Sequence, residues 1–272
     1  MICFPNAKIN LGLDILKKRS DNFHDIETCL VGITLCDVME IKESDSFNIE
    51  IFGEDIGVET EGNIIFSLWV KLKRRFSLPA FRIKLLKNIP SGAGLGGGSS
   101  DAAFFIKEIN KAYKLEMNDS QMQEFLVDIG SDSPFFVGNN ISLATSKGDV
   151  LKPIEYDKKL ESTFVTIVVP QKRINTTKAY ENISPKRPKL PINDLISLPM
   201  EHWKYHIKND FEEYVLGEIH ELSGVRDSLY KEGAIYVSLT GSGSGMFSLS
   251  EKELNLETLP KDYFIWSGRL IF

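Results

Sequence analysis

Apolar and polar residues alternate along the first stretch of the chain, and this period of two predicts a strand. Ile9, Leu11, Leu13 and Ile15 share one face of residues 7–16, as expected for a half-buried strand. The pattern predicts further strands over residues 26–41, 135–136, 141–144, 163–169, 235–239 and 246–249, and an acidic edge hairpin over residues 44–60.

A period near 3.6 in other segments predicts helices. Asn63 is expected to cap a helix that runs through Leu72, with the basic run 71–75 facing solvent. The pattern predicts further helices after the glycine-rich segment through Tyr113, over 119–129, over 209–216 and onward to 230, with a polar turn at 17–22 and a proline-rich loop at 184–199. Strands and helices alternate irregularly, which is typical of an α+β fold. A polar stretch over 152–162 predicts two domains, 1–155 and 156–272.

Composition and charge exclude some classes of protein. The chain has 272 residues and a net charge of −6, so it lacks the basic excess expected of a nucleic-acid-binding protein. No signal peptide and no apolar run long enough to cross a membrane are evident. The 3 cysteines match no metal-ligand spacing. We therefore expect a cytoplasmic protein without a membrane partner, and the sequence predicts no particular oligomeric state.

The segment from residue 89 to residue 103, IPSGAGLGGGSSDAA, carries the strongest local signal. Its glycines allow positive φ angles and close approach of an anion to the backbone amides. Ser99 or Ser100 is expected to be the N-cap of the following helix, whose N-terminus favours phosphate. The candidate phosphate-binding residues are Pro90, Ser91, Gly92, Ala93, Gly94, Leu95, Gly96, Gly97, Gly98, Ser99 and Ser100. No lysine follows Gly98, so the segment is not a P-loop.

Three motifs in order resemble one kinase superfamily. The glycine segment resembles the phosphate-binding motif of the galactokinase, homoserine kinase, mevalonate kinase and phosphomevalonate kinase (GHMP) superfamily. Asn6–Leu11 resembles its N-terminal motif, and Leu239–Gly245 resembles its C-terminal glycine motif. The resemblance implies an α+β fold of two domains, the first binding ATP, with the active site in the cleft between them.

Three segments are similar, more narrowly, to the 4-diphosphocytidyl-2-C-methyl-D-erythritol kinase family: Ala7–Leu11, Asp21–His24 and Gly130–Phe136. The resemblance implies ATP-dependent phosphorylation of the 2-hydroxyl of that cytidine compound, in the non-mevalonate route to isoprenoids. The chain departs from the family pattern in three segments. Ser131 and Ser133 flank Asp132 where the family usually has alanine and valine. The chain has Asn22 and Phe23 where the family usually has glycine and tyrosine, and Ser146 where the family has a glycine. Asparagine tolerates the left-handed conformation that the turn needs.

Phosphoryl transfer to an alcohol requires a proton acceptor and compensating positive charge. Asp132 is the candidate base, because it follows a predicted helix end and precedes Pro134 in a constrained turn. Lys8 is the candidate cation, because a lysine within an apolar strand is costly to bury unless it is paired. We expect an ion pair between Lys8 and Asp132 that keeps the carboxylate ionised.

The resemblance implies roles for other residues. Phe23 and Tyr180 would stack on the cytosine and His24 would hydrogen-bond to it, while Asn63, Ile64 and Lys87 would flank the adenine. The full set of implied substrate-binding residues is Asn10, Phe23, His24, Lys147, Gly148, Thr176, Tyr180, Gly241 and Ser242. ATP chemistry implies Mg²⁺, and the sequence identifies no ligand for it.

Two alternatives remain open at this point. The chain could be another GHMP kinase that acts on mevalonate or homoserine, but these lack the Phe23-His24 element. It could also be a catalytically silent ligand sensor on the same fold. A sensor is expected to have lost the lysine–aspartate pair, and both Lys8 and Asp132 are present.

Overall fold

The computed structural model of the protein describes residues 1–54 and 60–272. The chain divides into two compact units, and each is built from three segments that are not consecutive in the sequence. Unit 1 comprises Met1–Ala7, Leu35–Ser91 and Gly96–Asn139, and unit 2 comprises Lys8–Thr34, Gly92–Leu95 and Asn140–Phe272. The predicted domain boundary near residue 155 stays a prediction.

Unit 1 combines a sheet with helices. Its strands are β1 (Ile2–Cys3), β4 (Val38–Ser44), β5 (Asn48–Gly53) and β6 (Ala80–Lys87), and its helices are α1 (Ile64–Arg75), α2 (Gly97–Ala112), α3 (Asp119–Leu126) and α4 (Phe135–Gly138). The strand order is β1-β4-β6-β5, with β5 parallel to β6 and the other pairs antiparallel. Phe81 on β6 meets Phe105 on α2 edge to face, with ring centroids 5.9 Å apart. The sheet and α2 therefore share one core.

Unit 2 is built on a larger sheet. Its strands are β2 (Asn6–Lys18), β3 (His24–Cys36), β7 (Ser142–Thr145), β8 (Val150–Pro153), β9 (Phe164–Val169), β10 (Tyr236–Leu239), β11 (Met246–Ser250) and β12 (Phe264–Ile271). Its helices are α5 (Thr176–Glu181), α6 (Ile192–Ile196), α7 (Met200–His206), α8 (Glu212–Glu218) and α9 (Glu221–Lys231). The sheet order is β10-β11-β9-β12-β3-β7-β8, and β2 pairs with β3. Apolar residues of α8 and α9 pack in one cluster with residues of β2, β10 and β11.

Several predicted elements are confirmed. Strand β2 covers the predicted strand over 7–16, although both of its faces are buried over Asn6–Leu13 instead of one. Asn63 caps α1 by accepting the Ile65 N–H at 2.9 Å. The basic residues that end α1 are largely exposed, and the predicted face of α2 is buried at Ala102, Phe105, Ile106 and Ile109.

Other predictions are wrong. The predicted strand over 26–41 is two strands, because Asp37 separates β3 from β4. Residues 135–136 begin the short helix α4, since a two-residue apolar run is ambiguous between strand and helix. The predicted loop over 184–199 contains α6. The predicted hairpin over 44–60 has one described strand, β5, which pairs with β6; residues 55–59 of that hairpin lie outside the described residues.

The raised pKa of Asp14, on β2, is expected to make the stability of the protein depend on pH. Burial, followed by repulsion from Asp210 and Glu27, raises the pKa of the Asp14 carboxyl from 3.8 to about 7. Its Oδ2 is buried and has no hydrogen-bond partner among the described residues. The folded state therefore binds this proton more tightly than the unfolded state does, and the free energy of unfolding falls as pH rises from about 4 to about 7.

Asp14→Asn is expected to remove this fall and to be more stable than the wild type at pH 8 by about 2 kcal/mol. Urea unfolding at pH 5 and at pH 8 measures the difference. Asp128→Asn, at a carboxylate whose side chain is 78% exposed, is the control and should follow the wild type. Equal pH dependence in wild type and Asp14→Asn would contradict the assignment.

Candidate functional site

The glycine segment leads into α2 with the predicted backbone geometry. Gly92, Gly94 and Gly96 have φ angles of +65°, +76° and +73°. Helix α2 begins at Gly97, and Gly96 is its N-cap without a side-chain hydrogen bond. The predicted cap at Ser99 or Ser100 is therefore wrong, because the left-handed Gly96 starts the helix one turn earlier. The Ser100 N–H donates to the Gly96 carbonyl at 2.9 Å, which leaves the preceding amides without an intrahelical acceptor.

Within unit 2, the first part of the glycine segment packs tightly against the second glycine-rich segment. A Cβ at Gly94 would lie 2.0 Å from the Thr240 carbonyl oxygen, so no side chain fits there. Thr240 Oγ1 lies 2.9 Å from the Gly94 carbonyl oxygen, to which it can donate, and the Gly245 N–H donates to the Ala93 carbonyl at 3.2 Å. The two motifs that the sequence placed about 150 residues apart thus form one backbone structure.

Lys8 and Asn10 lie on β2 and are buried, with 2% and 3% of their surface exposed. The Lys8 ammonium donates to Asn10 Oδ1 at 2.6 Å, and the same oxygen accepts the Gly241 N–H at 2.9 Å. Asn10 Nδ2 donates to Thr28 Oγ1 at 3.0 Å. The Lys8 backbone N–H donates to the Leu95 carbonyl at 3.0 Å. Lys8, Asn10 and Gly241, three predicted site residues, are therefore held in one hydrogen-bonded network.

A cavity of about 140 Å³ opens in unit 1. It is lined by Gly62, Asn63, Ile64, Lys87, Ser91, Gly98 and Asp101. The three residues predicted to flank the adenine are all in its wall, together with three residues of the segment 89–103. The Ser91 N–H donates to Glu54 Oε2 at 2.7 Å at this wall.

The sequence analysis missed two acidic residues beside Lys87. The buried Lys87 ammonium donates to Asp37 Oδ2 and, at 2.6 Å, to Asp101 Oδ2. Asp37 Oδ1 also accepts the backbone N–H groups of Asn88 and Ile89 at 2.6 and 2.9 Å. A charged residue inside the apolar run from Leu35 to Met39 was the signal that could have drawn attention to Asp37.

Aromatic residues of unit 2 form a second group. His24 stacks on Tyr180 with ring centroids 4.9 Å apart and an interplanar angle of 18°. Tyr180 also meets Phe211 edge to face. Burial and then the charge of Lys18 lower the pKa of His24, so the imidazole is neutral at physiological pH. A neutral imidazole has one donor and one acceptor nitrogen for a base edge.

Phe23 and the turn at 146–148 complete this group. The Phe23 ring is 56% exposed, and the Lys147 ammonium lies 5.2 Å from its centroid. Asn22 has a φ of +66°, as predicted for the turn, and Ser146 has a φ of +61°. The Ile26 N–H donates to the Ser146 carbonyl at 2.8 Å, and the Gly148 N–H donates to the Thr145 carbonyl at 3.0 Å.

Of the remaining predicted site residues, Thr176 and Ser242 lie in unit 2 and Asp132 lies in unit 1. The hydroxyls of Thr176 and Ser242 are 2.9 Å apart, within unit 2. Asp132 lies in unit 1, half-buried in the turn before α4, where its carbonyl accepts the Phe135 N–H at 3.2 Å. Lys8 and Asp132 thus belong to different units, and their ion pair stays a prediction.

In the part of the chain that the structure covers, no helix is both long and apolar enough to cross a bilayer. The same residues contain no group of three or more His, Cys, Asp or Glu side chains arranged to hold a metal ion.

Comparison with known proteins assigns the chain to a family. Residues 63–139 match the family model described as GHMP kinases N terminal domain. A 4-diphosphocytidyl-2-C-methyl-D-erythritol kinase of Parabacteroides distasonis is 38% identical over 272 residues, which cover 99% of this chain and 100% of that protein. The kinase of the same name from Porphyromonas gingivalis is 39% identical over 273 residues, which cover 98% and 99%. The chain belongs to the 4-diphosphocytidyl-2-C-methyl-D-erythritol kinase family.

Solved structures agree with this family and with the predicted α+β GHMP kinase fold. A crystal structure of 4-(cytidine 5'-diphospho)-2C-methyl-D-erythritol kinase is 26% identical, with a TM-score of 0.79 and 99% of each chain covered. The mevalonate kinase of Methanococcus jannaschii shares the fold at 16% identity, with a TM-score of 0.70 and coverage of 100% of this chain and 98% of that one. The network around Lys8 and the cavity beside Lys87 therefore lie in a chain with the GHMP kinase fold.

Proposed function

We propose that this chain phosphorylates the 2-hydroxyl of 4-diphosphocytidyl-2-C-methyl-D-erythritol with ATP, giving the 2-phosphate and ADP, as a step of the non-mevalonate route to isoprenoids. The observation that carries the proposal is the similarity to kinases of that name along 99% of the chain at 38% identity. The arrangement of the site residues within each unit supports it.

The ATP half of the proposal rests on the cavity of unit 1 and the start of α2. The adenine occupies the cavity lined by Asn63, Ile64 and Lys87. The triphosphate lies along the glycine segment, where positive-φ glycines and the free amides at the helix start offer N–H groups to phosphate oxygens. These amides bind the phosphates without the help of a P-loop lysine, because no lysine follows Gly98.

Asp132 is the proposed base and Lys8 the proposed cation. The Asp132 carboxylate takes the proton from the substrate hydroxyl as the hydroxyl oxygen bonds to the γ-phosphorus. The bond between the γ-phosphorus and the bridging oxygen breaks, and ADP leaves with its electrons. The Lys8 ammonium stabilises negative charge on the transferring group, and its hydrogen bond to Asn10 Oδ1 holds it in place. Thr176 and Asn10 contact the phosphate and the methylerythritol hydroxyls.

The described residues fit a Mg²⁺ ion that is held mainly by nucleotide phosphates and water. They contain no cluster of acidic ligands, but Ser100 Oγ, in the first turn of α2, is buried without a hydrogen-bond partner among them. This sparse donor set is typical of Mg²⁺ sites in nucleotide enzymes. When bound, the ion would neutralise charge on the phosphates.

The cytidine half of the proposal rests on the aromatic group of unit 2. Phe23 and Tyr180 are the proposed stacking partners of the cytosine, and the neutral His24 is proposed to read its polar edge. His24 covers one face of Tyr180 in the structure, so the cytosine would stack on the other face or displace the His24 ring. Lys147 and Gly148 line the pocket through their backbone, and Gly241 and Ser242 contact the substrate near Thr176.

A turnover assay tests the proposal. We expect the purified chain to release ADP with 4-diphosphocytidyl-2-C-methyl-D-erythritol, and ³¹P NMR to show a new phosphomonoester on the methylerythritol. The uridine analogue should have a kcat/KM lower by about 10²-fold, because it cannot satisfy groups arranged for cytosine. Faster turnover of mevalonate or homoserine would overturn the substrate assignment, and no ADP release with any of these alcohols would overturn the kinase assignment.

A further inference from the structure

Lys87, at the end of β6, is paired with two buried carboxylates, although one would neutralise its charge. Its side chain is 3% exposed, and those of its two partners, Asp37 and Asp101, are 0% and 4% exposed. Taking one cation and two carboxylates out of water costs several kcal/mol for each ion, and such clusters are often less stable than apolar replacements. Stability alone therefore explains the cluster poorly.

The two carboxylates fix the ammonium from opposite parts of unit 1. Asp37 lies between β3 and β4, and the backbone N–H groups of Asn88 and Ile89 hold its Oδ1. Asp101 lies in α2, three residues after Gly98. Gly97 leaves room for the ammonium, because a Cβ there would lie 3.4 Å from Lys87 Nζ and 3.0 Å from Ile89.

The ammonium has a hydrogen-bond donor to spare. A lysine has three N–H donors. Among the described residues, Asp37 and Asp101 are its side-chain partners, and Lys87 and Asp101 both line the cavity. Asp101 Oδ1 is buried without a partner among the same residues. Of its two carboxylate oxygens, Asp101 therefore uses Oδ2, and uses it to hold the ammonium.

We propose that Asp37 and Asp101 are positioning residues for nucleotide recognition: they hold the Lys87 ammonium at the cavity wall so that its remaining N–H donates to an acceptor nitrogen of the purine base. The proposal rests on the proposed function in that the base is that of ATP. Neither carboxylate needs to touch the nucleotide.

Charge in the cluster is consistent with this role. Burial opposes the Lys87 charge, but Asp101 and Asp37 together raise its pKa above the ordinary value, so it remains a cation. Burial, with repulsion from Asp37, raises the pKa of Asp101 above its ordinary value against the attraction of Lys87. A cationic donor cannot accept the N1–H of guanine, so the cluster also favours adenine over guanine at that position.

Asp101→Asn tests the proposal, since it keeps the shape and removes the charge. We expect the KM for ATP to rise about tenfold, while kcat and the KM for the alcohol substrate stay within about twofold of the wild type. Asp37→Asn keeps an oxygen for the two backbone N–H groups and should show the same selective rise. Asp128→Asn, which removes an exposed ion pair to Lys71 in the same unit, is the matched control and should change none of these constants.

A double-mutant cycle on ADP affinity, measured by titration calorimetry, separates positioning from a general structural effect. Lys87→Met should weaken ADP binding about tenfold, and adding Asp101→Asn to it should cause no further loss, because Asp101 acts through the lysine. Additive losses, or wild-type ADP affinity in folded Asp101→Asn, would overturn the proposal. If Lys87→Met does not fold, the selective change in the KM for ATP in Asp37→Asn decides the question.

The two proposals can fail independently. ADP binding requires no alcohol substrate, so a non-additive cycle supports the positioning role even if the wild type does not phosphorylate the cytidine compound. Conversely, normal turnover by the wild type together with an unchanged KM for ATP in both aspartate variants would refute the positioning role and leave the kinase function in place.

Discussion

Replacing Asp132 with asparagine is expected to lower kcat by about 10²–10⁴-fold, because the variant loses the proposed proton acceptor for the substrate hydroxyl. Asparagine has nearly the same volume, and the turn at this position is made by backbone hydrogen bonds to the Asp132 and Ser133 carbonyls, which the substitution does not remove. Folding and nucleotide binding should therefore be retained. Steady-state kinetics with an ADP-coupled assay gives kcat and both KM values.

Asp128→Asn is a matched control for this prediction, because Asp128 lies four residues away with an exposed side chain and its loss should leave kcat unchanged. Thermal unfolding confirms that both variants are folded. If folded Asp132→Asn retains a kcat within about threefold of the wild type, Asp132 is not the base.

Gly94→Ala is expected to destabilise the protein by about 3 kcal/mol and to abolish ATP binding at micromolar concentrations. The added Cβ would lie 2.0 Å from the Thr240 carbonyl oxygen and 2.7 Å from its carbon, so the backbone must move, and the φ of +76° is itself unfavourable for alanine. Urea unfolding measures the first effect and ADP titration the second.

Gly98→Ala is the control for the glycine segment. It lies in the first turn of α2, and its added Cβ would meet Ile64 at an ordinary distance of 3.5 Å. We expect stability equal to or slightly above that of the wild type, because alanine is the better helix former. Equal stability of Gly94→Ala and the wild type would show that the two glycine-rich segments do not pack as described.

The long periodic segments were predictable because their side-chain pattern follows directly from burial. Strand β2, the inner face of α2 and the strands β9, β10 and β11 all carry clear periods or apolar runs, and they fold as predicted. Strand β6 carried the same signal, since Phe81, Ile83 and Leu85 are buried between exposed Arg82 and Lys84, but it was not assigned.

Features that depend on distant partners were not predictable. Asp37 interrupts an apolar run because backbone groups about 50 residues later bind its carboxylate. The start of α2 depends on the left-handed Gly96 and not on a serine cap. Strand β12 has mixed composition and is defined by its neighbours β9 and β3.

The candidate site residues were predicted from the family resemblance rather than from periodicity, and their roles stay predictions. Lys8 is the exception, because a lysine in the middle of an apolar strand signals a paired buried cation without any family knowledge. Asp101 gave no such signal. It follows two serines at a predicted helix start, where an aspartate is common because the helix dipole favours negative charge. Its role depends on Lys87 and Asp37, which no local pattern brings near it.

The position of β12 has a consequence for how the protein is made. Residues 264–271 lie between β9 and β3 in the larger sheet, and their connection to β3 consists of the pairs Leu270–Ile33 and Ile271–Gly32. During synthesis, β3 emerges from the ribosome more than 200 residues before its neighbour exists. The part of its edge at residues 32–33 therefore lacks this partner while the intervening residues are synthesised, and an unpaired strand edge favours aggregation during that time.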